Sequence, residues 1–177
     1  MSIGPTDRPA AVFAVFVDRE ETRLLLIRRA KQPTDPWSGQ IALPGGHIEP
    51  GDANPSETAY RETAEEVSIG KESIRLLGEL GAFATQIPKV KVHVFVGVWD
   101  GVATPQPDPA EVASVFEVPV CQLLERHYGE GFQDQLPNEL GRALTYPSDH
   151  GTIWGVTARI LHHLLGLIGP PPTPGER

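Results

Sequence analysis

Two apolar stretches rich in β-branched and aromatic residues open the chain. AAVFAVFVD occupies residues 10–18, and TRLLLIRRA, residues 22–30, follows after the polar turn REE. Strand-forming stretches separated by a short polar turn predict a β-hairpin. KQPTDPWSG, with two prolines, reads as a loop, and QIALP as a short strand leading into Gly45 and Gly46. Further strands are expected at SIRLLGEL and at KVKVHVFVGVWDG. In the latter, Val90, Val92, Val94 and Val96 share one face, opposite Lys91, His93 and Phe95. After the proline-rich loop ATPQPDP, EVASVFEVPV contains another strand and CQLLERH a short helix. Residues 127–141 are loop-like, and RALTYP with GTIWG forms a final strand pair. TARILHHLLGLIG is a helix with Ile160, Leu164 and Leu167 on one face, widened by Leu161 and Leu165. Trp154 is expected to anchor this helix in the core.

One helix has a clear start. Asn54 is the N-cap, Pro55 stands in the first turn and Glu57 takes the capping-box position, which predicts a helix over residues 55–67. Tyr60, Ala64 and Val67 cluster on its apolar side, with Thr63 at the edge. Strands dominate the first half, with this helix between them and another at the end. The mixture predicts an α+β fold, an α/β/α sandwich with a mixed sheet flanked by helices. No repeat or composition shift marks a second domain. Residues 10–168 form a single domain, preceded by a flexible N-terminus at 1–9 and followed by a disordered Pro-rich tail at 169–177.

Composition narrows the function classes. A formal charge of −8 over 177 residues argues against a nucleic-acid-binding surface, which needs a basic face. It leaves a phosphorylated substrate open, because divalent ions reverse the local field. Cys121 is the single cysteine, so there is no intramolecular disulfide, redox pair or cysteine zinc cluster. The start lacks a signal-peptide pattern, and no run approaches the ~18 apolar residues of a membrane span. The expected location is the cytoplasm, with no membrane partner.

The chemistry concentrates after the double glycine. Glu62, Glu65 and Glu66 fall at i, i+3 and i+4 of the helix. Like charges so spaced destabilise an isolated helix by ~0.2–0.5 kcal/mol per pair. Mg²⁺ or Mn²⁺, both hard ions that take oxygen ligands, would turn that repulsion into attraction. Gly45 and Gly46 carry no Cβ, so a backbone carbonyl can approach the same ion. The alternative is a solvated acidic face balanced by Arg61 and distant lysines.

The longer pattern decides between them. Gly46, five residues, Asp52, eight residues and RETAEEVSI resemble the Nudix box, GX5EX7REUXEEXGU. Asp52 stands for the first Glu, one extra residue precedes Arg61, Thr63 takes the first apolar position, and Ser68 stands where Gly is usual. Asp52, the extra residue and a small residue for that Gly resemble the coenzyme A pyrophosphatase branch, as do the flanking LLLIRRA, SGQIALPGG, EVPVCQLL and TIWGVTARIL. The resemblance covers roughly residues 10–168.

It implies a Nudix fold and a metal-dependent pyrophosphatase acting on a nucleoside diphosphate derivative, with coenzyme A cleaved to 3′,5′-ADP and 4′-phosphopantetheine. By the same resemblance Glu62, Glu66 and Glu65 are metal ligands, joined by the Gly45 carbonyl. Arg61 pairs with Asp52 or Glu57 to hold the loop against the helix. Divalent ions neutralise the diphosphate and align the attacking water, whose proton a carboxylate then removes. Glu65 or Glu111 is the expected base, with Asp108 a weaker candidate and Glu62 part of the catalytic set.

Arg28, Arg29, Trp37 and Gly46 are the expected substrate contacts, with surface solvation the alternative for the arginines and packing under the loop for Trp37. The branch carries LLTXRSXXLRXHXGQ in this region, and here Asp35 and Trp37 occupy its Arg and His positions. His47 adjoins the box glycines. His93 and His150 have no supporting spacing, and His162 and His163 are too few ligands for zinc. Other diphosphate substrates remain open, namely ADP-ribose, nucleotide sugars, dinucleoside polyphosphates and nucleoside triphosphates. A non-catalytic nucleotide sensor is the remaining alternative, disfavoured by the complete set of box glutamates. The expected partner is a small-molecule substrate, and a homodimer is the default oligomer.

Overall fold

The computed structural model describes residues 8–86, 89–129 and 144–170. Strands β1 (Ala10–Val17) and β2 (Arg23–Arg29) form the expected hairpin, in register at Phe16–Leu24 and Val17–Arg23, and then part. Beyond the parting, β3 (Ile41–Ala42) pairs with the end of β2, and β4 (Gly45–His47) pairs with the start of β1. The double glycine is thereby carried to the place where the hairpin opens. β5 (Ile74–Ala84) lies antiparallel to β6 (Lys91–Trp99), β6 lies parallel to β1, and β7 (Val112–Pro119) lies antiparallel to β2. These seven strands form one mixed sheet, and β8 (Tyr146–Ser148) with β9 (Gly151–Ile153) forms a separate ribbon. Helices α1 (Pro55–Val67), α2 (Val120–Tyr128) and α3 (Gly155–Ile168) complete the described chain.

Both faces of the central strands are buried, which explains why their sequences run apolar without a break. From β1, Ala10 and Ala14 face one core while Ala11, Phe13, Val15 and Val17 face the other. In β2, Leu24 and Leu26 take the first side, and Leu25 and Ile27 the second. Leu123, Leu124, Ile160, Leu161, Leu164 and Leu165 from α2 and α3 cover the first face. Ala59, Tyr60 and Val67 from α1 cover the second. Each fully buried Leu, Ile or Phe contributes about 1.5–3 kcal/mol. The α+β architecture with helices on both sides of a mixed sheet is the one the sequence predicts.

Several expectations shift. Helix α1 has the predicted bounds, and Asn54 Oδ1 accepts from the Ser56 and Glu57 amides at 3.0 and 3.2 Å, a cap worth ~1 kcal/mol. Its buried side is centred on Thr63 rather than Ala64, which is exposed. The Thr63 hydroxyl donates to the Ala59 carbonyl at 2.7 Å and so enters the core satisfied. Glu57 meets Lys71 at 2.5 Å. Trp154 does not anchor α3; it is the N-cap residue and 49% exposed, and the fully buried Tyr146 and Ile153 of the β8–β9 ribbon pack in the core instead. Leu167 is exposed as well, since α3 ends one residue later, beyond the layer it covers. α2 continues to Tyr128, past the expected start of a loop at residue 127, and most of that loop lies outside the described residues, as do 1–7 and 171–177. Among the described residues no helix is long and apolar enough to cross a membrane.

Candidate functional site

Three carboxylates meet where the hairpin opens. Glu62, Glu66 and Glu111 each bring an oxygen within 4.8 Å of the other two. Glu66 lies on the buried side of α1, only 2% exposed, and its Oε2 accepts the Gly45 amide at 2.9 Å. Glu62, one turn earlier, packs on Gly46: a Cβ there would lie 2.5 Å from both Glu62 oxygens. Gly45 is constrained too, with φ at +148° and the Val12 α-carbon 2.6 Å from where a Cβ would stand.

Glu111 arrives from the opposite direction by satisfying the end of α1. The last carbonyls of a helix lack partners within it. Here the Gln106 amide donates to the Val67 carbonyl at 2.9 Å and the Asp108 amide to the Glu66 carbonyl at 3.0 Å. Asp108 Oδ1 accepts the Ala110 amide at 2.9 Å, which tightens the turn before Glu111. From the other side, the Ala30 amide donates to the Glu111 carbonyl at 2.8 Å and Gln32 Nε2 to the Ala110 carbonyl at 2.6 Å. Chain-end chemistry of the helix thus fixes the third acid.

Burial dominates the electrostatics of this cluster. It pushes the Glu66 carboxyl up to about 8, with the charges of Glu62 and Glu111 adding to the rise and the Gly45 amide and Arg29 opposing it. Glu62 is raised as well, chiefly by burial, against the pull of Arg61. A buried carboxylate without full compensation is costly. Three converging oxygen donors with excess negative charge suit a hard divalent cation.

Arg61 organises the loop that closes the site. Its Nε and Nη2 donate to the two oxygens of Asp52, both at 3.0 Å, and Nη2 also reaches the His47 carbonyl at 3.2 Å. Nη1 bonds Glu62 at 2.9 Å and Glu65 at 3.0 Å. Asp52 further accepts from the Glu49 amide and the Thr58 hydroxyl, and Arg61 in first place holds its carboxyl well below the usual carboxylate range. Of the two partners open to Arg61 in the sequence, Asp52 is the one it meets.

Beside the acids lies a cavity of about 130 Å³, lined by Arg29, Trp37, Gly45, Gly46, Val92 and Ile160 among others. Arg29, Trp37 and Gly46 therefore share it with the double glycine. Arg28 does not line it; its guanidinium donates to the Gly39 and His150 carbonyls and clips the 30–40 loop to the β8–β9 turn. Glu65 stands outside the trio, its side chain 60% exposed. His47 lines the cavity, His93 pairs with Glu79, and His150 stacks on Phe116. Thr85, Thr157 and Ile160 also line the cavity, although Ile160 carries only the sequence signal of a core residue.

The site and fold agree with what the chain is similar to. Residues 7–138 match the NUDIX domain. The Nudix hydrolase NudL of Photorhabdus laumondii, itself uncharacterised, is 32% identical over 162 residues, covering 92% of this chain and 86% of that protein. NudL of Yersinia enterocolitica is 33% identical, covering 92% and 83%. Among solved structures, the MutT protein of Methanosarcina mazei aligns with a TM-score of 0.54 at 22% identity, over 70% of this chain and 84% of that one. The NUDIX domain of Shewanella oneidensis NrtR, complexed with ADP ribose, aligns at 0.53 and 20%, over 67% and 77%. With the domain match spanning most of its length and relatives above 30% identity over nine-tenths of it, this chain belongs to the Nudix hydrolase family.

Proposed function

We infer that the protein is a metal-dependent pyrophosphatase that splits the diphosphate linkage of a nucleoside diphosphate derivative, with coenzyme A and its derivatives as the leading substrates. The observation that carries the reading is the convergence of Glu62, Glu66 and Glu111 within 4.8 Å beside Gly45 and Gly46. Glu62 and Glu66 are the principal ligands for Mg²⁺ or Mn²⁺, with the Gly45 carbonyl as a further oxygen. When bound, such ions neutralise the diphosphate and polarise its phosphoryl oxygens. Glu111, exposed at the edge of the trio, accepts the proton of the attacking water; it meets the other two acids, whereas Glu65 is turned to Arg61 and solvent. Arg29 adds positive charge on the cavity side, and Trp37 offers an aromatic surface to the group attached to the diphosphate. A cavity of about 130 Å³ takes a ring-sized group.

The branch-level resemblance of LLLIRRA, SGQIALPGG and TIWGVTARIL supports coenzyme A. A second reading, with ADP-ribose, a nucleotide sugar, a dinucleoside polyphosphate or a nucleoside triphosphate as substrate, is favoured by Asp35 and Trp37 at the branch's Arg and His positions. The box binds diphosphate and metal, while the loops read the remainder.

The test is a panel of these compounds incubated with Mg²⁺ or Mn²⁺, with products separated by chromatography. Preferential release of 4′-phosphopantetheine from coenzyme A is expected, and faster cleavage of ADP-ribose or a nucleotide sugar would select the second reading. Absence of turnover on every compound would overturn both. Glu66→Gln should fold and lose most turnover.

A further inference from the structure

Asp35 does two things at once. Its Oδ2 accepts from Arg29 Nε at 3.0 Å and Nη2 at 2.9 Å, and its Oδ1 accepts the Trp37 amide at 2.9 Å. The Asp35 side chain is only 13% exposed, so this is no loose surface pair. The backbone around it is equally tied: the Asp35 amide donates to the Gln32 carbonyl, the Ser38 amide to the Asp35 carbonyl, and the Gln32 amide to the Ser38 hydroxyl. Arg29 and Trp37, the two residues so held, both line the cavity that also touches Gly45 and Gly46. Arg29 is near enough to Glu66 for its charge to act there.

We propose that Asp35 is a positioning residue for substrate binding, a brace that sets a cation on the phosphate side of the cavity and an aromatic ring on the other as one rigid unit. The proposal rests on the hydrolase reading above and adds to it the residue that fixes the geometry of the substrate loop. An arginine left unrestrained pays rotamer entropy on binding a phosphate, and pre-setting it removes that cost. The carboxylate also competes for the guanidinium with Glu66, which feels the charge of Arg29. The substrate class that gains is a diphosphate carrying a planar or weakly polar group on one side, because cation and ring are offered at fixed separation. Asp35 touches neither the trio nor the reacting phosphorus, so its loss acts on ground-state binding rather than on chemistry.

The experiment compares wild type with Asp35→Ala, Asp35→Asn, Asp35→Glu, Arg29→Ala and the Asp35→Ala/Arg29→Ala double variant on whichever diphosphate the wild type cleaves fastest. Asp35→Ala is expected to raise KM about tenfold with kcat within about threefold, and the double variant to be no worse than Arg29→Ala by more than about twofold. Asp35→Asn keeps an acceptor for the Trp37 amide but offers Arg29 no charge, and should raise KM about as much as Asp35→Ala. Asp35→Glu should restore part of the KM. A fall in kcat at unchanged KM, or multiplicative effects in the double variant, would overturn the brace. Should the wild type cleave nothing, the hydrolase reading fails by itself, and binding of ADP with Mg²⁺ by calorimetry decides the brace. A roughly tenfold weaker Kd in Asp35→Ala and Asp35→Asn upholds it, and an unchanged Kd sinks it.

Discussion

The carboxylate of Glu62 rests on the α-carbon of Gly46, so closely that a methyl group on that carbon would lie 2.5 Å from both of its oxygens. Glu62 is itself held from behind by Arg61 at 2.9 Å, which leaves it little room to retreat. Gly46→Ala should therefore displace Glu62 from Glu66 and Glu111 while the backbone, which has no positive φ at this residue, accepts the substitution. Displacement of a catalytic group by about 1 Å costs on the order of 10²-fold in rate. Overpacking adds about 1–3 kcal/mol of destabilisation. Turnover at saturating Mg²⁺ and a Mn²⁺ titration, both expected to fall, check the first effect; urea denaturation checks the second.

A comparison of Glu111→Gln with Glu65→Gln separates the two candidates for the base. Glu111 belongs to the trio and Glu65 does not. Removing a positioned general base costs about 10²–10⁴-fold in kcat. Glu111→Gln is expected in that range, and Glu65→Gln within about tenfold of wild type. Glu65→Gln also breaks an exposed i, i+4 pair with Arg61 and should cost under about 1 kcal/mol. Pre-steady-state and steady-state rates across pH would check the order; a larger loss for Glu65→Gln would reverse the assignment.

Much of this arrangement is legible in the sequence, for identifiable reasons. Asn54, Pro55 and the spacing of the glutamates define α1 because capping and periodicity are local effects. The alternation of β6 similarly reports one face, Val92, Val94 and Val96, turned to the core. The burial of Glu66 is not local: three neighbouring glutamates at helical spacing look alike until the sheet covers one of them. The placement of Glu111 depends on a loop satisfying the carbonyls of Glu66 and Val67, a contact across 39–42 positions of chain that no periodicity encodes. Trp154 misleads for the opposite reason: size and apolarity suggest a core residue, yet it caps α3 half-exposed while Ile153 takes the interior.

The Asp52–Arg61 pair predicts acid sensitivity of a particular kind. Asp52 has a folded-state pKa below its ordinary 3.8, so its contribution is complete above about pH 4 and is lost as pH falls through the lower folded value. Arg61→Lys keeps the charge but cannot span both oxygens, and should lose about 1.5–3 kcal/mol at pH 7. Asp52→Asn should lose a similar amount at pH 7 and progressively less, relative to wild type, once the pH falls well below 4. Chemical denaturation at pH 7, 4 and 2.5 would measure this; a difference that stays constant would mean that the pair is not what Asp52 contributes.

Ser68 ends α1 in the left-handed region, at φ 58°, where the Nudix box usually has Gly. A side chain there costs about 1–2 kcal/mol over Gly. The Ser68 hydroxyl recovers some of this by donating to the Gln106 carbonyl at 3.2 Å, in the loop that leads to Glu111. Ser68→Ala loses that bond and keeps the strain. Ser68→Gly loses the bond and relieves it. The Gly variant should thus be more stable than the Ala variant by about 1 kcal/mol, seen as a melting temperature several degrees higher, and equal stabilities would argue against the strain.

Glu66 gives the sharpest pH signature, and it runs opposite to that of Asp52. Its carboxyl titrates near 8 in the folded chain against an ordinary 4.5, because burial disfavours the charged form. A group raised in this way contributes fully below its unfolded value and loses that contribution as pH rises through the folded one. Metal-chelated protein should accordingly weaken between about pH 5 and 8, by an amount on the order of a few kcal/mol. Glu66→Gln, which stays neutral, should match wild type near pH 5 and surpass it at pH 9. Mg²⁺ or Mn²⁺ should reverse that ranking at pH 9 by stabilising the ionised wild type, since ligand binding to the folded state alone raises stability. Denaturant titrations of both proteins at the two pH values, with chelator and with metal, make four comparisons. If chelated wild type proved as stable as Glu66→Gln at pH 9, Glu66 would have to be ionised at no cost, and the acidic trio would lose the electrostatic tension that draws a cation to it.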